Sequence, residues 1–242
     1  MLLPPPLTPP TLVGDALRER GFAVLDAAGL AALSGVGEGG FADLAPLWND
    51  LPPDAYLRDG GRYRRRRHAC LVADGDRLTV APHRAHWQPV EYNALHGGLE
   101  RWFEPVAPQM IEATAFRRMV HALAACASEL KGAQPWYVEV HQFRIDTTDG
   151  IGRPTPEGAH RDGVDLVAVV LVDRHHIKGG ETRVFEAHGT HGIRFTLTEP
   201  WSVLLLDDAR VIHESTPIQP QGEAGHRDTL VLTLRANGFQ GP

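Results

Sequence analysis

His160 and Asp162 stand two residues apart in PTPEGAHRDGVDL, 154–166, at the entrance of the apolar run VDLVAVVLV. Desolvating an imidazole and a carboxylate there is costly unless something compensates. Side chains on an extended segment repeat every two residues, so the two groups project to the same side. A third group of the same kind, His213, follows the apolar run in LLLDDARVIHESTPI. The order His-x-Asp…His is that of a 2-His-1-carboxylate facial triad. Such a triad holds Fe(II) by one face of an octahedron and leaves three positions open. A bidentate co-substrate and O2 can fill them.

His-x-Asp carries little weight alone, because a chain with 13 histidines supplies about one by chance. A second occurs at His226-Arg227-Asp228, but no histidine follows it, so only the first pattern can be completed. The same letters imitate a protein kinase: Gly35, Gly37 and Gly40 fit GxGxxG, and HRD lies downstream. The chain has only Lys131 and Lys178, neither in a VAIK-like strand, and no DFG, and Val167 stands where a kinase has its metal-binding Asn. An open Fe(II) site also needs an electron source. A chelating 2-oxoacid requires a cation at its far carboxylate, and the planar fork of Arg suits that task. Arg227 opens the apolar strand HRDTLVLTLR, and Thr229 shares its face and adds a hydroxyl. Arg235, also on that face, is the fallback anchor.

The elements that must position these groups read as follows. TLVGDALRE, 11–19, forms a short helix ending near Gly21, and GFAVLD a strand. The segment 62–83 forms two strands joined at Asp74-Gly75-Asp76. Phe116, Met119, Leu123, Ala127 and Leu130 make one apolar stripe, which predicts a helix over 108–131 that covers a sheet. After Trp136 only short strand-like runs occur, separated by turn signals. The fold class is therefore α+β, mainly β: a double-stranded β-helix (jelly roll, cupin-like) core with covering helices from the N-terminal half. Residues 1–10 read as a flexible Pro-rich lead-in. Residues 11–242 read as a single domain, with a cover over 11–135 and the jelly roll over 136–240. The net charge of -6 argues against a nucleic-acid partner. No apolar run approaches the ~18 residues of a membrane span. Two distant cysteines, Cys70 and Cys126, argue against a disulfide framework, and the expected setting is cytoplasmic, as a monomer or homodimer.

The stretches VEVHQFRI, PTPEGAHRDGVDL, KGGETRV, LLLDDARVIHESTPI and HRDTLVLTLR, together with EYNALHGGLERWFEP, span about residues 62–235. In them the chain resembles the bacterial 2-oxoglutarate/Fe(II) dioxygenases typified by L-isoleucine 4-hydroxylase and related free amino-acid hydroxylases. The resemblance implies Fe(II) at His160, Asp162 and His213, with 2-oxoglutarate on Arg227. It also implies hydroxylation of an unactivated carbon of a free, aliphatic L-amino acid, with release of succinate and CO2.

A free amino acid needs a cation for its carboxylate and an acceptor for its ammonium. Gln142 and Arg144 share one face of VEVHQFRI, with His141 on the other. In RYRRRRHAC alternate residues such as Arg65 and Arg67 face one way, so Arg67 is a second candidate, and Glu157 is an acceptor for the ammonium. His175, His176, His188 and His191 read as surface residues. Two alternatives stay open: the same oxidising chemistry giving desaturation or ring closure, and a cupin-type metalloenzyme that does not use 2-oxoglutarate and has no need of Arg227.

Overall fold

The computed structural model describes residues 2–37, 39–93 and 95–242. A 3-10 turn, Pro10–Leu12, leads into helix α1 (Val13–Arg20), which Gly21 closes in the left-handed conformation. Strand β1 (Phe22–Leu25) follows, then helix α2 (Ala27–Ser34). Helix α2 has no amphipathic stripe to mark it in sequence, because AAGLAALS is small and apolar on every side. Its capping signals are nonetheless present: the Asp26 side chain accepts from the Gly29 N–H, and Gly35 ends the helix in the left-handed region. A second 3-10 segment, Ala42–Trp48, precedes the hairpin β2 (Arg64–Asp74) and β3 (Arg77–Val80), which turns where expected.

The helix expected over 108–131 is two helices, α3 (Pro108–Glu112) and α4 (Thr114–Lys131). Ala113 between them is extended, and its break lets Met110 and Ile111 bury in the same core as the α4 stripe. The remaining strands are β4 (Trp136–Asp146), β5 (Leu166–His175), β6 (Ile177–Gly179), β7 (Thr182–Glu186), β8 (Gly192–Phe195), β9 (Val203–Asp207), β10 (Val211–Ser215), β11 (Ile218–Pro220) and β12 (His226–Arg235).

They form an antiparallel seven-stranded sheet in the order β1-β9-β5-β12-β4-β2-β3, a three-stranded sheet β10-β7-β8 and the pair β11-β6. This is a jelly roll. Three strands of the large sheet, β1, β2 and β3, come from residues before 136, so the N-terminal half contributes to the sheet as well as covering it. The outer face of the large sheet (Val138, Val140, Leu230, Leu232, Leu234) packs on α4 through Phe116, Met119 and Leu123. Between the sheets, Val167, Leu171, Val184, Phe195, Leu204 and Leu206 form a second core below the site. The Pro-rich lead-in is hydrogen-bonded to both: Thr8 N–H to Val24 O, and Thr196 N–H to Leu3 O. Among the described residues no helix is long and apolar enough to cross a membrane.

Candidate metal centre and substrate cavity

His160 and His213 face each other across an isolated antiparallel bridge. His160 N–H donates to His213 O (3.0 Å) and His213 N–H to His160 O (2.9 Å). This bridge joins two segments 53 positions apart in sequence and sets the rings 4.7 Å apart, centroid to centroid. Asp162 completes the group: its Oδ1 lies 3.8 Å from His160 Nε2 and its Oδ2 3.9 Å from His213 Nε2. The loop bearing His160 and Asp162 is held by Asp208, just after β9. The Asp208 carboxylate accepts from the N–H groups of Asp162 (3.0 Å), Gly163 (2.7 Å) and Val164 (3.1 Å). Gly163 sits at φ +75, which a residue with a side chain adopts only with strain, so the chain can turn into β5 directly after the ligand position.

The donor set fits an Fe(II) ion. His160 Nδ1 donates to Gly158 O (2.9 Å), which fixes the tautomer and leaves the Nε2 lone pair free toward Asp162. Burial pushes the His213 imidazole well below its ordinary range, so it stays neutral and can ligate. Burial also pushes Asp162 up to about 6, against the pull of His160. Burial lowers His160, but the facing Asp162 and Glu157 more than offset this and raise it. A cation amid these groups relieves that mutual strain.

The same cavity runs along the inner face of the large sheet. Strand pairing places Arg64, Ile145 and Arg227 side by side across β2, β4 and β12. The next row is Arg66, Phe143 and Thr229, then His68, His141 and Val231, then Cys70, Glu139 and Thr233. Arg227 is buried, and its Nε and Nη2 have no partner. Burial first, and Arg174 second, push it down to about 10. Thr229 lies two residues further along the same wall. Arg235 is at the far end of β12 and donates to Gly238 O, away from this cavity.

The expected substrate contacts are corrected in phase. On β4 the inward residues are Glu139, His141, Phe143 and Ile145, while Gln142 and Arg144 point the other way. Gln142 is buried toward Leu47, and Arg144 forms a bidentate pair with Asp228 (2.8 and 2.6 Å). On β2 the inward arginines are Arg64 and Arg66. Arg67 lies outward on Glu104, Pro105 O and Asp50 O, and Arg65 is exposed. A signal for both phases is present in sequence. Trp136, Val138 and Val140 share a face with Gln142 and Arg144, and Leu71 and Ala73 share one with Arg65 and Arg67. Those apolar faces belong under the helices. Glu157 does line the cavity: its Oε1 lies 3.6 Å from His160 Nε2, and its Oε2 is buried without a partner.

The connection between β3 and α3 brings residues that the sequence reading did not single out. Gln88 Nε2 donates to Asp162 Oδ1 (3.2 Å), and Gln88 Oε1 accepts from Asn93 Nδ2 (3.1 Å) and Arg101 Nη2 (3.0 Å). His86 joins a buried hub. Glu139 Oε2 accepts from His68 Nε2 (3.0 Å) and His86 Nδ1 (2.6 Å), with His141 Nε2 at 3.8 Å. Burial holds all three imidazoles neutral, His86 being pushed down to about 3. Burial works against the Glu139 charge, yet His86 and His68 outweigh it and hold the carboxyl well below the ordinary range.

Four such side chains have ligand atoms close enough together to hold a metal, but the electrostatics oppose a second ion. Arg66 Nη2 donates to His141 Nδ1 (2.8 Å), so the proton of a neutral His141 sits on Nε2, and Arg66 and Arg101 already place two positive charges beside the hub. The second His-x-Asp, at 226–228, forms an ion-pair group in which His226 meets Asp173 (3.0 Å) while Asp228 is committed to Arg144. His175, His176, His188 and His191 are exposed.

A family model described as 2OG-Fe dioxygenase matches residues 45–233, more than half of the chain. Among solved structures, a bsmA homolog from Methylobium petroleophilum PM1 is 51% identical, with a TM-score of 0.93 over 98% of this chain and 96% of that one. IDO from Bacillus thuringiensis is 15% identical (TM-score 0.77, covering 96% and 100%). The Fe(II)/(alpha)ketoglutarate-dependent dioxygenase TqaL is 19% identical (TM-score 0.67, covering 93% and 86%). At such identity these last two show the fold alone. A comparison with curated proteins finds no match.

Proposed function

The chain belongs to the 2OG-Fe dioxygenase family, and from that premise we propose that it hydroxylates an unactivated C–H of a free L-amino acid, in the manner of the L-isoleucine 4-hydroxylase type. It is a 2-oxoglutarate-dependent dioxygenase that uses Fe(II), 2-oxoglutarate and O2. Bound Fe(II) supplies the oxidising chemistry, in which 2-oxoglutarate is converted to succinate and CO2. In this reading His160, Asp162 and His213 hold the metal through Nε2, a carboxylate oxygen and Nε2. Arg227 receives the far carboxylate of 2-oxoglutarate on its two unpartnered nitrogens, with Thr229 beside it.

The observation that carries the amino-acid reading is a set of unpartnered, buried groups of opposite charge in one cavity: Arg64 Nη2 and Arg101 Nε against Glu157 Oε2. Leaving such atoms unpaired is costly, and a zwitterion satisfies both signs together. Arg64 and Arg101 take the substrate carboxylate, and Glu157, beside His160, takes the ammonium. Asp54 also pairs with Arg64 (2.7 Å), so Arg101 supplies the less compensated charge. Phe143, Val164 and Val231 give the wall its apolar surface and keep water from the reacting carbon.

Purified protein, reconstituted anaerobically with Fe(II), is exposed to air with 2-oxoglutarate and each free L-amino acid, while succinate and substrate mass are read together. Substrate-stimulated succinate with a one-oxygen mass gain is expected. A two-hydrogen loss makes the reaction a desaturation or ring closure, and no stimulation by any free amino acid refutes the substrate class.

A further inference from the structure

We propose that Gln88 is a positioning residue that keeps Asp162 a one-oxygen ligand and couples it to occupancy of the substrate end of the cavity. The inference rests on the reading of His160, Asp162 and His213 as the Fe(II) ligands. Gln88 is buried, and its amide has one possible orientation. The Oε1 end receives two donors, Asn93 Nδ2 and Arg101 Nη2, so the NH2 end faces Asp162 and donates to Oδ1. That bond occupies Oδ1 and leaves Oδ2, on the His213 side, for the metal. A carboxylate free to chelate through both oxygens would fill a fourth position of an octahedron, one that 2-oxoglutarate and O2 need.

The other end of the relay reaches the substrate. Arg101 is almost fully buried, one of its nitrogens is on Gln88, and its Nε has no partner. An anion arriving at Arg101 meets the same rigid guanidinium that grips Gln88. A planar guanidinium moves as one body, so a shift at Nε is passed through Gln88 Oε1 to the Asp162 carboxylate. Arg101 and Gln88 also lie near one another along the backbone, because His86 and Arg101 exchange N–H···O bonds of 2.9 and 3.0 Å. The substrate's arrival and the metal carboxylate are thus linked by two hydrogen bonds through one side chain.

The test uses Gln88→Met, which keeps the volume and removes all three side-chain bonds, and Gln88→Glu, which keeps the acceptor for Asn93 and Arg101 but offers no N–H to Asp162. Mn(II) binding is measured by anaerobic calorimetry without substrate, and product per succinate is measured in turnover, with His213→Ala as the control for the metal site. Loss of an outer hydrogen-bond partner of a metal ligand costs 10–100-fold in affinity. Expected is Mn(II) binding at least about tenfold weaker in Gln88→Met and succinate in excess of product in both variants; Gln88→Met also melts lower, because Asn93 Nδ2 and Arg101 Nη2 lose their acceptor. Should Gln88→Met not fold, the product-to-succinate ratio of Gln88→Glu decides. Mn(II) affinity within about threefold of wild type, with an unchanged product-to-succinate ratio, overturns the proposal. Mn(II) binding that survives His213→Ala overturns the ligand assignment beneath it, and so the proposal too. If no free amino acid is a substrate, the Mn(II) measurement still decides whether Gln88 holds Asp162.

Discussion

Replacing Arg227 with Met should abolish 2-oxoglutarate binding while leaving the ligand-free protein at least as stable as wild type. In the structure this guanidinium is fully enclosed, two of its nitrogens have no partner, and Arg174 adds a second positive charge nearby. Two charge-assisted hydrogen bonds to a carboxylate contribute about 1.5–3 kcal/mol each, or about 3–6 kcal/mol together. At about 1.4 kcal/mol per tenfold, the dissociation constant should rise roughly 10²- to 10⁴-fold. The same substitution removes an uncompensated buried charge and leaves an apolar chain of similar length, which is neutral or stabilising when no anion is present. Thermal melts with Mn(II) and with or without 2-oxoglutarate separate the two effects. At 100 times its dissociation constant the ligand stabilises wild type by about 2.7 kcal/mol. In a chain of this size that is a rise of about 5–11 °C. Arg227→Met should show no rise at the same concentration, whereas Arg235→Met, on the same strand face but bonded to Gly238 O, should keep it. A full ligand-induced rise in Arg227→Met, or an affinity within threefold of wild type, would refute the anchor. It would place the far carboxylate of 2-oxoglutarate on another cation.

Arg67→Ala removes a partly exposed pair with Glu104 and bonds to Pro105 O and Asp50 O, and should cost about 1 kcal/mol, with turnover unaffected. Arg64→Met strips the enclosed Asp54 of its closest partner and should cost about 3 kcal/mol or more in urea unfolding; equal effects at the two positions would contradict the inward and outward faces of β2. Acid should also destabilise the fold through the hub. His68, His86 and His141 have folded pKa values below the unfolded value of 6.5, so the unfolded chain binds more protons once the pH drops below that value. Each removes up to about 1.4 kcal/mol per pH unit until its folded value is reached, about 3 for His86. The urea midpoint should therefore fall steeply from pH 7 to pH 5, and a flat profile there would show that the three imidazoles are not held neutral.

The residues proposed as the metal triad and the 2-oxoglutarate anchor are legible in sequence because each depends on a local rule. His160 and Asp162 share a side through the two-residue strand period, and Arg227 and Thr229 do so likewise. His213 needed only chain order, and the bridge between it and His160 turns that order into proximity. Substrate residues depend on something less local, namely which face of β4 and β2 lies under α4. Shifting that assignment by one residue exchanges Gln142 and Arg144 for His141 and Phe143, and Arg67 for Arg66. The hydrophobic pattern held the answer in Trp136, Val138, Val140 and Leu71, whose burial against α4 turns the neighbouring charged positions inward. Gln88, Asn93 and Arg101 had no periodic signal, since they lie on an irregular connection whose path is set by bonds to other segments. One of those bonds, from Gln88 to Asp162, joins residues 74 positions apart. The local rules therefore reach the residues proposed to bind what the whole family shares, while the residues proposed to choose the substrate are fixed by tertiary packing. That difference also indicates where relatives of this chain should diverge: at the inward positions of β2 and along the connection between β3 and α3, with the triad and Arg227 unchanged.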